Sequence, residues 1–354
     1  HIEAADRAGI VHELTSRMAT FNEDTPVEIY AERIAEEYYF YRANSILAKA
    51  SNAIYNRDKN LLISAIDELR NESGVDNKQF DLGISDSIGE FKETINNLQN
   101  RIIKSGIEKF DDVTVLGGFE RQTLSIIAAR PSMGKTALVL QIAFNASMRG
   151  YKVLFYSLEM SKVSLIARKA CGKIGISWTA IKSGNISKEN IEKLSEAADE
   201  IEKYHSSLII IDKTVNTMNI EKDVKAYKPD LVVIDHIRLL TDEGDNENLR
   251  LGYISAKLKE IAKENNCHVM VAAQLNRMVE TRADKLPQLS DLRESGQIEE
   301  NADVVLMLHR RDYYELVSNN DSTTQLDVLV RKNRDGIAGG AIKLQFDMNR
   351  QYIC

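Results

Sequence analysis

Cysteine is scarce. Cys171, Cys267 and Cys354 are the only three in 354 residues, too few and too far apart for a disulfide framework or a zinc ligand set. No apolar run approaches the roughly 18 uninterrupted residues of a membrane span, so no membrane partner is expected. No charged, then apolar, then small-residue leader opens the sequence, and the expected compartment is the cytosol. His1 in place of an initiating Met leads us to expect a piece of a longer chain. Internal repeats and low-complexity tracts are also missing. Nor is there any excess of positive charge. The net charge is −7, with 12 Lys and Arg against 18 Asp and Glu in residues 1–104 and 34 against 35 in the remainder. A globally basic nucleic-acid face is thereby excluded; any such contact must come from a few Arg and Lys or from backbone N–H groups.

What is present suits a globular chain of two or more domains, with 43% hydrophobic residues to build cores. Only Gly9 and Pro26 interrupt the helix-forming composition from Ala4 to Leu69. Thr25-Pro26 reads as a helix start, continuing through Tyr38-Tyr39-Phe40-Tyr41, and Asn60 to Leu69 as a second helix. The aromatic cluster suits a helix–helix contact better than base stacking in so acidic a segment. After a polar stretch from Asn71 to Leu82, Ser87 and Glu90 form a capping box. Ile88, Phe91, Ile95, Leu98 and Ile102 then recur at spacings of three and four, which predicts a linker helix. Its stripe is buried either against its own neighbouring domain or against another subunit.

Beyond Gly106 short apolar runs alternate with amphipathic stretches, the pattern of an α/β fold with a mainly parallel sheet. Strands are expected at 124–128, 153–156, 208–211, 231–234, 269–273, 304–308, 326–331 and 342–346, and helices at 135–148, 162–171, 189–204 and 248–265. Val215 to Lys228 is too short and polar to assign. His205, His268 and His309 lack ligand partners at useful spacing and read as core or edge residues.

The segment Ala129-Arg130-Pro131-Ser132-Met133-Gly134-Lys135-Thr136 sits between an apolar strand and a helix. A loop entering a helix in this way aims free backbone N–H groups, backed by the helix dipole, at one spot and so favours a polyphosphate. Ser132, Met133, Gly134, Lys135, Thr136 and Ala137 are the expected nucleotide contacts. Lys135 offers a charge for the β- and γ-phosphates, and Thr136 a hydroxyl for Mg²⁺. The usual first glycine of such a loop is here Ala129. Ligands of parallel sheets lie beyond the carboxyl ends of the strands, where three more residues stand. Glu159 is placed to polarise a water, or equally to serve as a first-turn acid of the next helix. Asp235, ending Leu231-Val232-Val233-Ile234, suits Mg²⁺. Gln274 suits a γ-phosphate sensor or a plain strand cap.

With Ser157-Leu158-Glu159-Met160, Val233-Ile234-Asp235 and the stretch from Gln274 through Ser290-Asp291-Leu292-Arg293-Glu294-Ser295-Gly296 in this order, the chain resembles the DnaB-type replicative DNA helicases. The resemblance covers about Leu124 to Phe346 and, more loosely, the helical front. It implies a RecA-like P-loop ATPase domain over 107–354, a linker helix over 83–106 and an incomplete all-α collar over 1–82. It implies a homohexamer that holds ATP and Mg²⁺ between subunits and single-stranded DNA in its channel, moving 5′ to 3′, with primase and a helicase loader as partners. Lys135 and Thr136 would bind phosphate and metal, Glu159 would be the catalytic base, Asp235 a metal ligand and Gln274 the link between ATP and DNA. Arg293, Glu294 and Gly296 would meet the DNA backbone. Lys332 and Arg334, in Arg331-Lys332-Asn333-Arg334-Asp335-Gly336, would reach a neighbour's ATP, with Arg334 as arginine finger; without the resemblance the same residues read as a hairpin turn with solvated charges. The sequence departs from the family pattern at Ala129, at His236 where Tyr is common and at Asp335 where Asn is usual. The stretches before Leu124 and from Val215 to Pro229 are short. A recombinase-like or clock-type ATPase shares the loop and the strand-end acid, and a nucleotide-dependent assembly module would share them without unwinding DNA.

If the 88–102 stripe docks on the next subunit, Phe91→Asp should break hexamers into smaller species. Hexamers unchanged by light scattering would count against that docking.

Overall fold

The computed structural model describes residues 27–72, 88, 98–113, 117–184, 186–203, 207–244, 246–292, 296–315 and 322–354. The chain divides into two compact units, His1–Glu93 and Thr94–Cys354. Among the described residues no helix is long and apolar enough to cross a membrane.

In the first unit α1 (Val27–Tyr55) and α2 (Lys59–Glu72) form a helical hairpin. Asp58 makes the turn by accepting from the N–H groups of Asn60 and Leu61, an Asx-type start to α2. Among the described side chains Ile46, Ala53 and Ala65 are its buried apolar residues, and Lys49 pairs with Glu68 at 2.9 Å. The side chains of Tyr38, Tyr39 and Phe40 lie outside the described residues.

The expected linker helix is corrected at its end. Ile88 is helical, 89–97 lie outside the described residues, and Leu98–Arg101 is a single 3₁₀ turn. Then Ile102–Ile103 is a strand, β1, paired antiparallel with β2 (Phe119–Glu120). The second unit takes up the backbone here. Arg121 donates to the Asn100 carbonyl at 2.9 Å and Tyr151 to that of Ile102 at 3.1 Å, while Ile103 is fully buried. Lys104–Gly106 is not helical either. The Asp111 carboxylate accepts from the N–H groups of Ser105 and Gly106, and Gly106 has φ +72°. A spacing of three and four thus runs on into residues whose carbonyls and amides are engaged elsewhere.

After α3 (Glu108–Val113) the second unit runs β3 (Leu124–Ala129), α4 (Lys135–Met148), β4 (Val153–Ser157), α5 (Lys162–Ile174), α6 (Trp178–Lys182), α7 (Lys188–Glu202) and β5 (Leu208–Ile211). It continues through α8 (Thr217–Tyr227), β6 (Leu231–Asp235), α9 (Glu247–Glu264), β7 (His268–Gln274), α10 (Gly296–Asn301) and β8 (Val304–His309). It ends with α11 (Asp312–Glu315), β9 (Thr323–Asn333), β10 (Ala341–Asp347) and β11 (Tyr352–Ile353). Helix α8 fills the stretch left unassigned. Asn216 and Asn219 exchange a capping box and Asp242 accepts from the Thr217 N–H and hydroxyl, so the start signal is amide-based and less conspicuous than Ser-x-x-Glu.

The nine-stranded sheet has the order β11-β10-β9-β8-β3-β7-β6-β4-β5. From β5 to β8 every neighbouring pair is parallel, and β9, β10 and β11 extend the sheet antiparallel. Alternate side chains of the buried central strands feed two cores. Ile127, Phe155, Val233 and Met270 join α4 on one face, while Ile126, Leu154, Val232 and Val271 join α8 and α9 on the other. Burial on both faces explains why these strands read as continuous apolar runs. The crossover order brings the carboxyl ends of β3, β7, β6 and β4 side by side.

His268 opens β7, fully buried, with Nδ1 2.9 Å from the Glu120 carbonyl. Since a carbonyl only accepts, Nδ1 carries the proton of a neutral ring. Burial pushes its pKa down from 6.5 to about 4, so the unfolded chain binds the extra proton between those values and stability falls as pH drops through that window. At one pKa unit per 1.36 kcal/mol the loss is roughly 3 kcal/mol. Denaturant melts of the second unit between pH 7 and 4 should show this slope, and His268→Asn should flatten it.

Candidate nucleotide site

The phosphate loop leaves β3 at Ala129 and enters α4 at Lys135. Gly134 occupies the N-cap in the left-handed region (φ +93°) with no side-chain cap, which leaves the first N–H groups of α4 for an anion. A Cβ at Gly134 would lie 3.1 Å from the Phe346 ring, so both its backbone angle and its neighbour favour glycine. Ser132 is also left-handed, at φ +65°.

Across the sheet, the Thr136 hydroxyl donates to Asp235 Oδ2 at 2.7 Å, and Lys135 Nζ lies 3.9 Å from Oδ1. Burial lowers the pKa of Lys135, against the pull of the Asp235 and Glu159 charges. Asp235 is 2% exposed and its Oδ1 is buried without a hydrogen-bond partner. A buried carboxylate oxygen beside a hydroxyl, short of donors, fits a hard divalent cation; Thr136 and Asp235 would hold it.

Glu159 follows β4, with its side chain 60% exposed and its carboxylate 4.0 Å from His236 Nε2. Burial, then the Lys135 charge, lowers the His236 pKa, so that ring is neutral near pH 7. Gln274 ends β7 paired with Ala129, the first loop residue, and the Leu275 N–H donates to the Ala129 carbonyl at 3.0 Å. Arg130 reinforces this seam, reaching the Leu275 carbonyl at 2.9 Å and Glu280 at 2.8 Å.

Lys135, Thr136, Ala137, Glu159 and Gln274 line one cavity of about 560 Å³ with Ser132 and Gly134. Met133 is buried outside that lining. Lys332 and Arg334 lie elsewhere. Arg334 pairs with Asp303 at 3.0 Å, just before β8 begins, and Lys332 donates to the carbonyls of Glu299 and Glu300. Since β3 and β8 are parallel, that is the amino end of the strands whose carboxyl ends carry the cavity, on the order of 17 Å away along β3. Arg293 and Glu294 lie outside the described residues; Gly296 opens α10 and is exposed. Sequence reasoning missed Arg168, Arg310, Phe346 and Met348, which also line the cavity. The Arg310-Arg311 pair directly after an apolar strand was the available signal for one of them.

A phosphate-binding loop, a strand-end acid facing its threonine and a mainly parallel sheet crossed in this order define a RecA-like ATPase. The DnaB-like helicase C-terminal domain matches residues 103–353, and the chain belongs to that family. It is 32% identical over 331 residues to the replicative DNA helicase DnaC of Bacillus subtilis (strain 168), covering 88% of this chain and 71% of that protein. It is 41% identical over 262 residues to a probable replicative DNA helicase of Trieres chinensis, covering 70% and 56%. Among solved structures, a DnaB-like replicative helicase, described with its interactions with primase, aligns with a TM-score of 0.67 and 31% identity over 97% of this chain and 82% of that one. A separately solved ATPase domain aligns at 0.69 and 35% over 77% and 98%.

Asp235→Asn keeps an acceptor for Thr136 but removes the charge. The expected outcome is a folded protein whose nucleotide affinity no longer rises with magnesium, a loss of about tenfold or more in an equilibrium titration.

Proposed function

We propose that this chain is the motor part of a replicative DNA helicase that hydrolyses ATP to advance along single-stranded DNA and open the duplex at a fork. The observation that carries the reading is the convergence of Lys135, Thr136, Asp235, Glu159 and Gln274 at the carboxyl ends of four adjacent strands, with Gln274 leading into the segment of Arg293, Glu294 and Gly296.

In this reading the N–H groups from Ser132 to Ala137 receive the triphosphate, and Lys135 neutralises its outer charge. Thr136 and Asp235 would hold Mg²⁺, which when bound would supply withdrawal of charge from the phosphates. Glu159, open to solvent, orients a water for in-line attack and takes its proton. Gln274 shares a backbone seam with the phosphate loop, so a shift at one is felt at the other. Arg334 and Lys332 serve a neighbouring copy, where positive charge stabilises the transferring phosphoryl group. Hydrolysis then requires assembly, and the homohexamer of the family belongs to this reading. Movement 5′ to 3′, a cytoplasmic setting, and docking of primase and a loader on the helical front belong to the same reading. So does the division into front, linker helix and ATPase domain. The Arg293 side chain and the backbone N–H groups of Glu294 and Gly296 make a few phosphate contacts per subunit, which suits a nearly neutral domain.

The test measures ATP hydrolysis and forked-DNA unwinding together, for the chain and for Arg334→Ala. Stimulation by single strands, opening of a 5′-tailed fork and loss of both in the variant are expected. Adding Lys135→Ala subunits to Arg334→Ala subunits should restore part of the hydrolysis, because intact composite sites then form. ATP binding and ring formation without fork opening would turn the reading to an assembly module.

A further inference from the structure

The cavity has a wall that the assignments above leave without a role. Arg310 follows the last residue of β8 and is 6% exposed. Its guanidinium faces Asp312 edge-on, with Nη2 at 2.6 Å and Nε at 3.3 Å from the two carboxylate oxygens. Nη2 also contacts the Met348 sulfur at 2.9 Å, and the group lies 5.7 Å above the centre of the Phe346 ring. The remaining nitrogen, Nη1, donates to the main-chain carbonyl of Ser132 at 3.1 Å.

Ser132 is where the phosphate loop needs holding. It is a non-glycine residue at φ +65°, which the surroundings must impose. A trans peptide points its C=O and N–H in opposite directions, so fixing the Ser132 carbonyl fixes the plane of the Ser132–Met133 peptide. Two residues later Phe346, the ring beneath Arg310, stands against Gly134. The loop is therefore gripped at both ends of its last turn before α4. Resting on the nucleotide reading above, we propose that Arg310 is a positioning residue for ATP binding: through the Ser132 carbonyl it sets the aim of the N–H groups that receive the phosphates, with Asp312 orienting its guanidinium. An arginine suits the task because a rigid fork serves a carboxylate with one edge and a carbonyl with the other, which a lysine ammonium on a flexible stem does less well.

Asp312 does not line the cavity, so an effect of its substitution on nucleotide affinity travels through the side chains it holds, Arg310 and Thr324. The experiment compares the whole chain with Arg310→Gln, Arg310→Lys, Asp312→Asn and Lys135→Ala. It reads equilibrium affinity for a fluorescent ATP analogue with magnesium, the KM and kcat of hydrolysis, and Tm without nucleotide. Arg310→Gln should raise both the dissociation constant and KM by about tenfold or more, with kcat at saturating ATP less affected and Tm within about 3 °C of the parent. Arg310→Lys should recover part of the affinity, and Asp312→Asn should shift it in the same direction by less. Parental affinity in folded Arg310→Gln would overturn the proposal. If that variant does not fold, Asp312→Asn decides, and unchanged affinity there overturns it. Lys135→Ala separates the two levels. Undiminished affinity in it would remove the nucleotide reading itself, whereas loss in Lys135→Ala with none in the Arg310 and Asp312 variants would remove only the positioning role.

Discussion

The 2.7 Å hydrogen bond from Thr136 to Asp235 can form only if β3 and β6 stand one strand apart with their carboxyl ends level. That requirement constrains the rest of the unit. β7 must lie between them, so the chain passes β3 to β4 across one face with α4 as cover. It returns through α8 and α9 on the other, giving the two apolar cores. Parallel pairing carries the level ends outward, which is why Glu159 and Gln274 arrive at the same cavity without being near each other in sequence.

The side of the sheet from β8 outward has a different part in the architecture. β8 pairs with β3 on one side and β9 on the other, so its two ends meet two different sites. Past its carboxyl end Arg310 touches the phosphate loop; before its amino end Asp303 receives Arg334, Lys259 and the Leu124 N–H. Phe346 of β10 backs Gly134. β8 and the antiparallel strands beyond it thus supply one wall of the nucleotide cavity and the mount for the outlying basic pair.

Much of this was legible in the sequence wherever a residue's environment is set by its immediate neighbours. An apolar run followed by a polar residue marks a buried parallel strand and the group at its tip, as for Asp235 and Gln274, and the loop before α4 announces itself through Gly134-Lys135-Thr136. The eight expected strands and four expected helices of the second unit are all present, with ends that agree to within three residues. What escaped depends on partners distant in sequence. Arg310 reads as a surface charge until Ser132, Asp312 and Met348 surround it. The helical spacing through Ile102 runs on because periodicity records side chains alone, while Arg121 and Tyr151 had already engaged the backbone. The short β1, β2 and β11 exist only through pairing.

Lys332 and Arg334 stand at the opposite end of the strands from the phosphate loop, and this has a consequence for assembly. If one copy offers its basic pair to the next copy's cavity, the offering and receiving surfaces differ, and contact between copies is head to tail. Adding a subunit to an open row always leaves one cavity unserved and one basic pair idle. Only closure into a circle brings both numbers to zero. The same contacts at a slightly different rotation would instead propagate a helix, so the step between neighbouring subunits, which no single chain specifies alone, decides between a finite ring and an unending filament.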